Sequence, residues 1–474
     1  MASDSRDVLA RIDSEKERYL EELKDYIRIP SISTDPDFKA DVVRASEFLV
    51  GKLREAGLQA ERIDTAGHPL VYAEWLGAPG KPTILFYGHY DVQPVDPIEL
   101  WRNPPFEPTV EGDKLVARGA TDDKGQSYAH VKAVAALLAE RGKLPVNVKF
   151  LVEGEEEAGG AAIEEYVKQD GGKRLKADAV VISDSSLFAP GQPSLIYGLK
   201  GLCYTEIKVT GPNRDLHSGT YGGALWNPLN ALCHIVDGLR DAKTGKILIP
   251  GFYDDVRPLN AAEKAAVAAM PPVEEALRDE LALGRTEGSG ARLQERLMDP
   301  ALNVRGLRSA EVGEGAANAI PTEAQASIDF RLVPDQTPQK VRDRVEAFLR
   351  GQGWTLVTEA PSREVRRAHP RVARLAWSLD YPGARTDMSL PVSRAIAAVV
   401  DRAVGGSAIQ VPMLGGSVPM VLFTETLKVP VIGVPIVNHD NNQHGINENL
   451  RLQNLWDGIE VFAALMAELG REWR

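Results

Sequence analysis

The chain has 474 residues, 43% of them hydrophobic, and a formal net charge of −12. Its length exceeds the roughly 250–300 residues at which a single core stops growing, so more than one domain is expected. The acidic balance without a long Lys/Arg run argues against nucleic acid, and the lack of any run of about 18 apolar residues argues against a membrane. The charged N-terminal stretch has no apolar core of a secretory signal, so a cytoplasmic protein is expected. Cys203 and Cys233 form no close pair, and two reduced core thiols are expected in place of a disulfide framework.

In chain order, Ser14-Glu15-Lys16-Glu17 reads as a capping box opening a helix. Leu20, Leu23 and Ile27 give its apolar face and Pro30 stops it. A second helix is expected over 42–56, with Gly57 at its C′ position. Short apolar runs follow at 83–87, 147–152, 179–182 and 431–434, and an Ala-rich helix is expected over 128–141. Buried strands alternating with helices predict an α/β domain with a mainly parallel sheet flanked by helices. Ligands of such sheets bind beyond the carboxyl ends of the strands. Each run here ends at His, Asp or Glu, or leads into a loop that holds them, so these side chains should converge on one crevice.

The middle of the chain reads differently. Residues 204–209 alternate and turn at Gly211-Pro212. Ala324, Ala326, Ile328, Phe330 and Leu332 alternate with polar residues, which places Arg331 on the polar face of a half-buried strand. A helix is expected over 226–239. The reading is a catalytic domain in two parts, 1–199 and 386–474, with an α+β domain inserted over 200–385. Helices over 391–403 and 455–469 return to the first domain.

The chemistry sits at the strand ends. His89 and Asp91 form an H-x-D in which an imidazole can ligate a metal and a carboxylate can orient it. Asp122 and Asp123 share a Gly-bounded loop before a helix, where ligation competes with a plain N-cap, most seriously for Asp123. Glu153, Glu155, Glu156 and Glu157 would ordinarily make a solvated face, yet they follow an apolar strand and are closed by Gly159-Gly160. Packing them there costs repulsion unless cations offset it. Asp184 closes another strand, and His439 and His444 share one polar loop. Singly, each is compatible with an ordinary turn. Together they form a nitrogen and oxygen set suited to two metals and a bridging carboxylate, with one Glu free as general base and acid. Nucleophile-elbow, P-loop and dinucleotide motifs are absent, and Ser417 lacks the flanks of a serine nucleophile.

The segments GHYDVQP (88–94), RGATDDKG (118–125), EEAGG (156–160), ISD (182–184) and QHGINE (443–448) resemble, in order and context, the motifs of a zinc metallopeptidase family. That family includes carnosinase, the cytosolic nonspecific dipeptidase, succinyl-diaminopimelate desuccinylase and acetylornithine deacetylase. The resemblance spans nearly the whole chain and is greatest to the dipeptidase branch. It implies a di-zinc exopeptidase-like catalytic domain with an inserted lid and dimerisation domain. It implies that His89 and Asp184 hold one metal, Glu157 and His444 the other, and that Asp122 bridges both. Zinc is the first expectation, and the ligand set also admits manganese or cobalt. Glu156 resembles the general base that activates a metal-bridging hydroxide, with Asp91 orienting His89. A slip of one in the Glu run would move the base to Glu155. His217 resembles a residue that reaches the partner subunit's site in a homodimer and stabilises the oxyanion. Arg331, Gly416 and Ser417 resemble the grip on the substrate's terminal carboxylate, with Asn318 a further candidate. The implied reaction is cleavage of dipeptides or short peptides with a free C-terminal carboxylate. An N-acyl amino acid deacylase using the same site is the alternative, and a metal-binding module without catalysis is a third reading that Glu156 argues against.

Overall fold

A computed structural model describes residues 6–188, 191–288, 290–416 and 420–473; Ser417 lies outside the described residues. Helix α1 (Arg6–Ile27) buries Val8, Ile12, Tyr19, Leu23 and Ile27 along one stripe. It begins well before Ser14, so the expected capping box does not form. Val8 and Ile12 extend the apolar stripe backwards, and Ser14 Oγ instead donates to the Arg11 carbonyl at 2.8 Å. Helix α2 (Lys39–Glu55) ends at a Gly57 with φ +94°, the left-handed C′ residue expected.

The first part of the chain supplies strands β1 (Gln59–Ile63), β2 (Leu70–Trp75), β3 (Thr83–His89), β4 (Asn147–Glu153), β5 (Ala179–Ile182) and β6 (Ser194–Ile196), with helix α3 (Lys124–Arg141) between β3 and β4. The middle supplies β7 (Gly201–Thr210), β8 (Leu216–His217), α4 (Pro228–Leu239), β9 (Ala301–Arg308), β10 (Ala319–Ile320), β11 (Glu323–Leu332), α5 (Pro338–Gly351), β12 (Thr355–Val357) and β13 (Val372–Tyr381). The last part supplies α6 (Pro391–Val404), β14 (Ile409–Val411), β15 (Val431–Gly433) and α7 (Leu452–Glu472).

The larger sheet runs β1-β2-β4-β3-β5-β15-β6-β14. Its centre, β4-β3-β5-β15, is parallel, and antiparallel strands flank it. Period-two alternation divides β3 between two cores. Ile84 and Phe86 pack with α3, α6 and α7, while Leu85 and Tyr87 pack with Ile163, Val167 and Phe423 on the other face. Helices on both faces leave the carboxyl ends of β3, β4 and β5 together at one edge.

The middle segment forms a second sheet, β9-β11-β7-β13-β12, with its own core. Leu232, Ile235 and Leu239 of α4 and Val341, Val345 and Leu349 of α5 pack against Ile207, Ala326, Ile328 and Phe330. Arg331 lies half-exposed on the opposite face, as the alternation requires. Both cysteines are free, but only Cys203 is buried; Cys233 is exposed, which corrects the expectation of two core thiols. Its neighbours on α4 alternate at helical spacing, and Leu232 and Ile235 take the inward positions. Among the described residues no helix is long and apolar enough to cross a membrane.

Candidate metal centre

His89 ends β3 and is wholly buried. Its Nε2 lies 3.0 Å from Asp122 Oδ1 and 3.7 Å from Asp184 Oδ2. His444 Nε2 lies 2.8 Å from Asp122 Oδ2 and 3.5 Å from Glu157 Oε1. Two donor triads result, His89/Asp122/Asp184 and Asp122/Glu157/His444, each with its donor atoms within 4.8 Å of one another. They share Asp122, one carboxylate oxygen facing each imidazole. His439 of the same loop belongs to neither triad.

Asp91 sits beneath both groups. Its Oδ1 is 3.3 Å from His89 Nδ1, which also lies 3.1 Å from the Asp91 carbonyl. The same carboxylate accepts from Ser33 Oγ at 2.6 Å and from the backbone N–H groups of Glu156 and Glu157 at 3.2 and 3.0 Å. One buried side chain therefore orients the imidazole and fixes the turn that carries Glu156 and Glu157.

The Glu run divides by direction. Glu155 turns away: its oxygens accept from the N–H groups of His68 and Ala162 at 2.8 and 2.6 Å. Glu156 makes no such commitment and is held beside the triads. Burial, reinforced by Asp184, Glu157 and Glu153, pushes its carboxyl up to about 9. Burial likewise lifts Asp184 to about 7 and Glu153 to about 8, and it raises Glu157 and Asp123. The Asp122 and Glu157 carboxylates push His444 up to about 10. Burial opposes charge on Asp122, but its bonds to His444 and His89 prevail and lower it. More negative charge is thus buried here than two imidazoles offset, and Glu157 Oε1 has no hydrogen-bond donor. Such a hard, carboxylate-rich donor set with imidazole in each half fits two divalent cations.

Asp123 occupies the N-cap position of α3, but its side chain makes no cap hydrogen bond, so that reading is corrected. Its Oδ2 accepts instead from the His89 N–H at 3.2 Å. The carboxylate is drawn under β3 because Gly88 leaves room there; a Cβ would fall 2.7 Å from Asp123 Oδ2.

The remaining candidates lie on the second sheet or near it. His217 of β8 is exposed, pairs with Ala319 of β10, and its Nδ1 accepts from the Thr220 N–H at 3.2 Å. Asn318 is exposed beside it, its carbonyl accepting from the Ser218 N–H at 2.9 Å. Arg331 Nε donates to Asp329 Oδ2 at 2.8 Å. Gly416 faces open space. Among the described residues, none of the four is hydrogen-bonded or ion-paired to the triads within one chain.

A family model for peptidase family M20/M25/M40 matches residues 85–468. The chain belongs to this family. The Cys-Gly metallodipeptidase dug1 of Schizosaccharomyces pombe is 30% identical over 97% of this chain and 97% of its own. The M20 metallo-carboxypeptidase Sso-CP2 of Sulfolobus solfataricus superposes with a TM-score of 0.80 at 30% identity, covering 95% of this chain and 99% of its own. Human carnosine dipeptidase 1 gives a TM-score of 0.76 at 29% identity over 98% of each chain. This M20 chain is accordingly a peptide-bond hydrolase, which removes the reading as a metal-binding module without catalysis.

Sequence reasoning gave no role to the residue that holds the centre of this M20 peptidase together. Glu448 is wholly buried and accepts five hydrogen bonds, from Thr121 N–H, Thr121 Oγ, Asp122 N–H, Gly119 N–H and Arg118 Nη1, at 2.8–3.0 Å. The strand Asn449–Arg451 pairs with Lys114–Val116 and brings it there. Its only sequence signal is its place at the end of QHGINE. Gln443, whose Nε2 donates to Asp122 Oδ2 at 3.0 Å, had the same signal at the start of QHGINE and was likewise given no role, while Ser33 had no signal at all.

Proposed function

We propose that the protein is a two-metal dipeptidase that cleaves dipeptides or short peptides with a free C-terminal carboxylate. The observation that carries this is the pair of donor triads sharing Asp122, with Glu156 beside them. His89 and Asp184 would hold one cation, Glu157 and His444 the other, and Asp122 both. Two divalent cations, zinc in the first place, would supply Lewis acidity toward the scissile carbonyl and the attacking water.

Glu156 takes a proton from that water on a carboxylate oxygen and returns it to the leaving nitrogen. The hydrogen bonds that commit Glu155 elsewhere support Glu156 in this role. Asp91 keeps the turn of Glu156 and the ring of His89 in fixed relation. Arg331 offers a planar guanidinium to the substrate carboxylate, assisted by Gly416, Ser417 and Asn318. His217 stands exposed on β8 and makes no hydrogen bond or ion pair with the triads of its own chain, which supports its action across a homodimer on the partner's oxyanion. The relatives compared are dipeptidases and a carboxypeptidase, which favours peptides over acyl amino acids as substrates.

Glu156→Gln tests the assignment. It should lower kcat by about 10²–10⁴-fold, the share general acid–base catalysis supplies, while two equivalents of metal remain bound. Full activity in this variant would overturn it.

A further inference from the structure

A cavity of about 280 Å³ opens beside Glu156, between the two halves of the molecule. Its floor is apolar: Ile163, from the helical turn Ala161–Tyr166, and Leu422 are both buried. Its walls are acidic. Glu164 lies beside Ile163, Asp380 comes from the end of β13 in the middle segment, and Glu153 ends β4. No Lys, Arg or His lines it among the described residues. Glu164 is ion-paired with Lys168 through one oxygen, and Asp380 accepts only from the neutral Ser378 Oγ, so Asp380 has no cationic partner among these contacts.

Glu153 points to a ligand. It is wholly buried, one oxygen accepts from Tyr87 Oη, and the other, Oε2, has no hydrogen-bond donor at all. Gly160, which also lines the cavity, is the thin cover over that oxygen; a Cβ there would stand 3.3 Å from it. An unpaired buried acceptor is costly unless something donates to it. That donor is not a third metal ion. Glu153, Glu164 and Asp380 belong to neither group of donor atoms close enough to chelate. A cation that fits must span separated acids and cover apolar floor, so it brings its own hydrocarbon.

We propose that this cavity is the subsite for a substrate side chain carrying a positive charge on an aliphatic stem, as lysine and arginine do. The stem lies on Ile163 and Leu422, in the manner of snorkelling basic residues. The charged head lies among the acidic walls and donates to Glu153 Oε2. The cavity adjoins Glu156, so the side chain belongs to a residue flanking the scissile bond. The proposal rests on the peptidase reading of the centre. It deepens that reading by naming a substrate class.

The test is a panel on the metal-loaded parent: Lys-Ala and Ala-Lys against norleucine-Ala and Ala-norleucine, which keep the stem and drop the charge. One lysine member should exceed its norleucine counterpart in kcat/KM by about tenfold or more, the factor that 1.4 kcal/mol supplies. The ratio should fall toward one in E164Q/D380N. Equal rates for lysine and norleucine in the parent would overturn the subsite while leaving the dipeptidase reading intact. A ratio unchanged in the double variant would overturn it too. Hydrolysis of no dipeptide at all would refute the peptidase reading itself.

Discussion

Replacing Glu448 by glutamine leaves one amide oxygen as acceptor where the Arg118–Asp122 loop now uses two carboxylate oxygens. The amide nitrogen must face either Thr121 and Asp122 or Gly119 and Arg118. In the first orientation the Thr121 and Asp122 N–H groups and the Thr121 hydroxyl lose their acceptor, in the second the Gly119 N–H and Arg118 Nη1 do, at about 1–3 kcal/mol for each buried donor left unpaired. Arg118, itself buried, also loses its countercharge. The combined loss should be about 3–5 kcal/mol, the range for removing one partner of a buried pair. Two assays read it separately. Amide hydrogen exchange at Thr121 and Asp122 should accelerate, because their N–H groups lose a buried acceptor. Metal affinity should fall about 10–100-fold, as for other groups that orient a ligand from behind, since Asp122 belongs to both triads. Unchanged exchange and unchanged metal affinity would refute the role of Glu448 as the brace of this loop.

Three further outcomes follow from the same geometry. Glu155→Gln should cost about 1–2 kcal/mol through the orphaned His68 or Ala162 N–H while turnover persists; loss of turnover here and not in Glu156→Gln would move the base to Glu155. Burial holds the His130 imidazole down at about 3, whereas the unfolded chain takes up its proton near 6.5. Stability from this group is therefore full above pH 6.5 and falls as the pH drops toward 3, by at most about 1.4 kcal/mol per pH unit; urea midpoints of His130→Asn should show a shallower acid slope, and an identical slope would contradict the reasoning. His217→Ala should lose activity with its metals in place and regain part of it when mixed with Glu156→Gln, because a mixed dimer restores one complete site; no recovery on subunit exchange would place His217 outside the partner's site.

The parts of the fold that follow from periodicity were legible in the sequence. β3, β4 and β5 are continuous apolar runs because both faces of a parallel sheet are covered, and their polar ends marked the crevice. His89, Glu157 and Asp184 could be nominated because each sits at or just beyond the end of such a run, Asp122 and His444 because they lie in adjoining polar loops, and their division between two metals came from the family resemblance. Local motifs served less well. Ser14 has every residue of a capping box and none of its bonds, since burial of Val8 and Ile12 outweighs one capped turn. Asp123 has the N-cap position without its bond, because the room left by Gly88 draws it under β3. Glu448 was illegible as a brace: a carboxylate in a polar loop looks solvated until a distant strand pairing buries it. The cavity beside Glu156 combines Asp380 with Glu153 and Glu164, positions that share no local pattern.

The bond between Arg118 and Glu448 joins residues 330 apart. During synthesis the His89/Asp122/Asp184 half of the centre emerges long before His444, Glu448 and the strand that carries them, and the whole middle segment is made in between. Contacts of such long sequence separation form late and slowly. A nascent chain therefore has four of the five donors but lacks His444 and has an unbraced Asp122 until nearly all of it has been made. Metal loaded before then meets an incomplete set of ligands, so the finished centre records that the two ends of the chain have found each other.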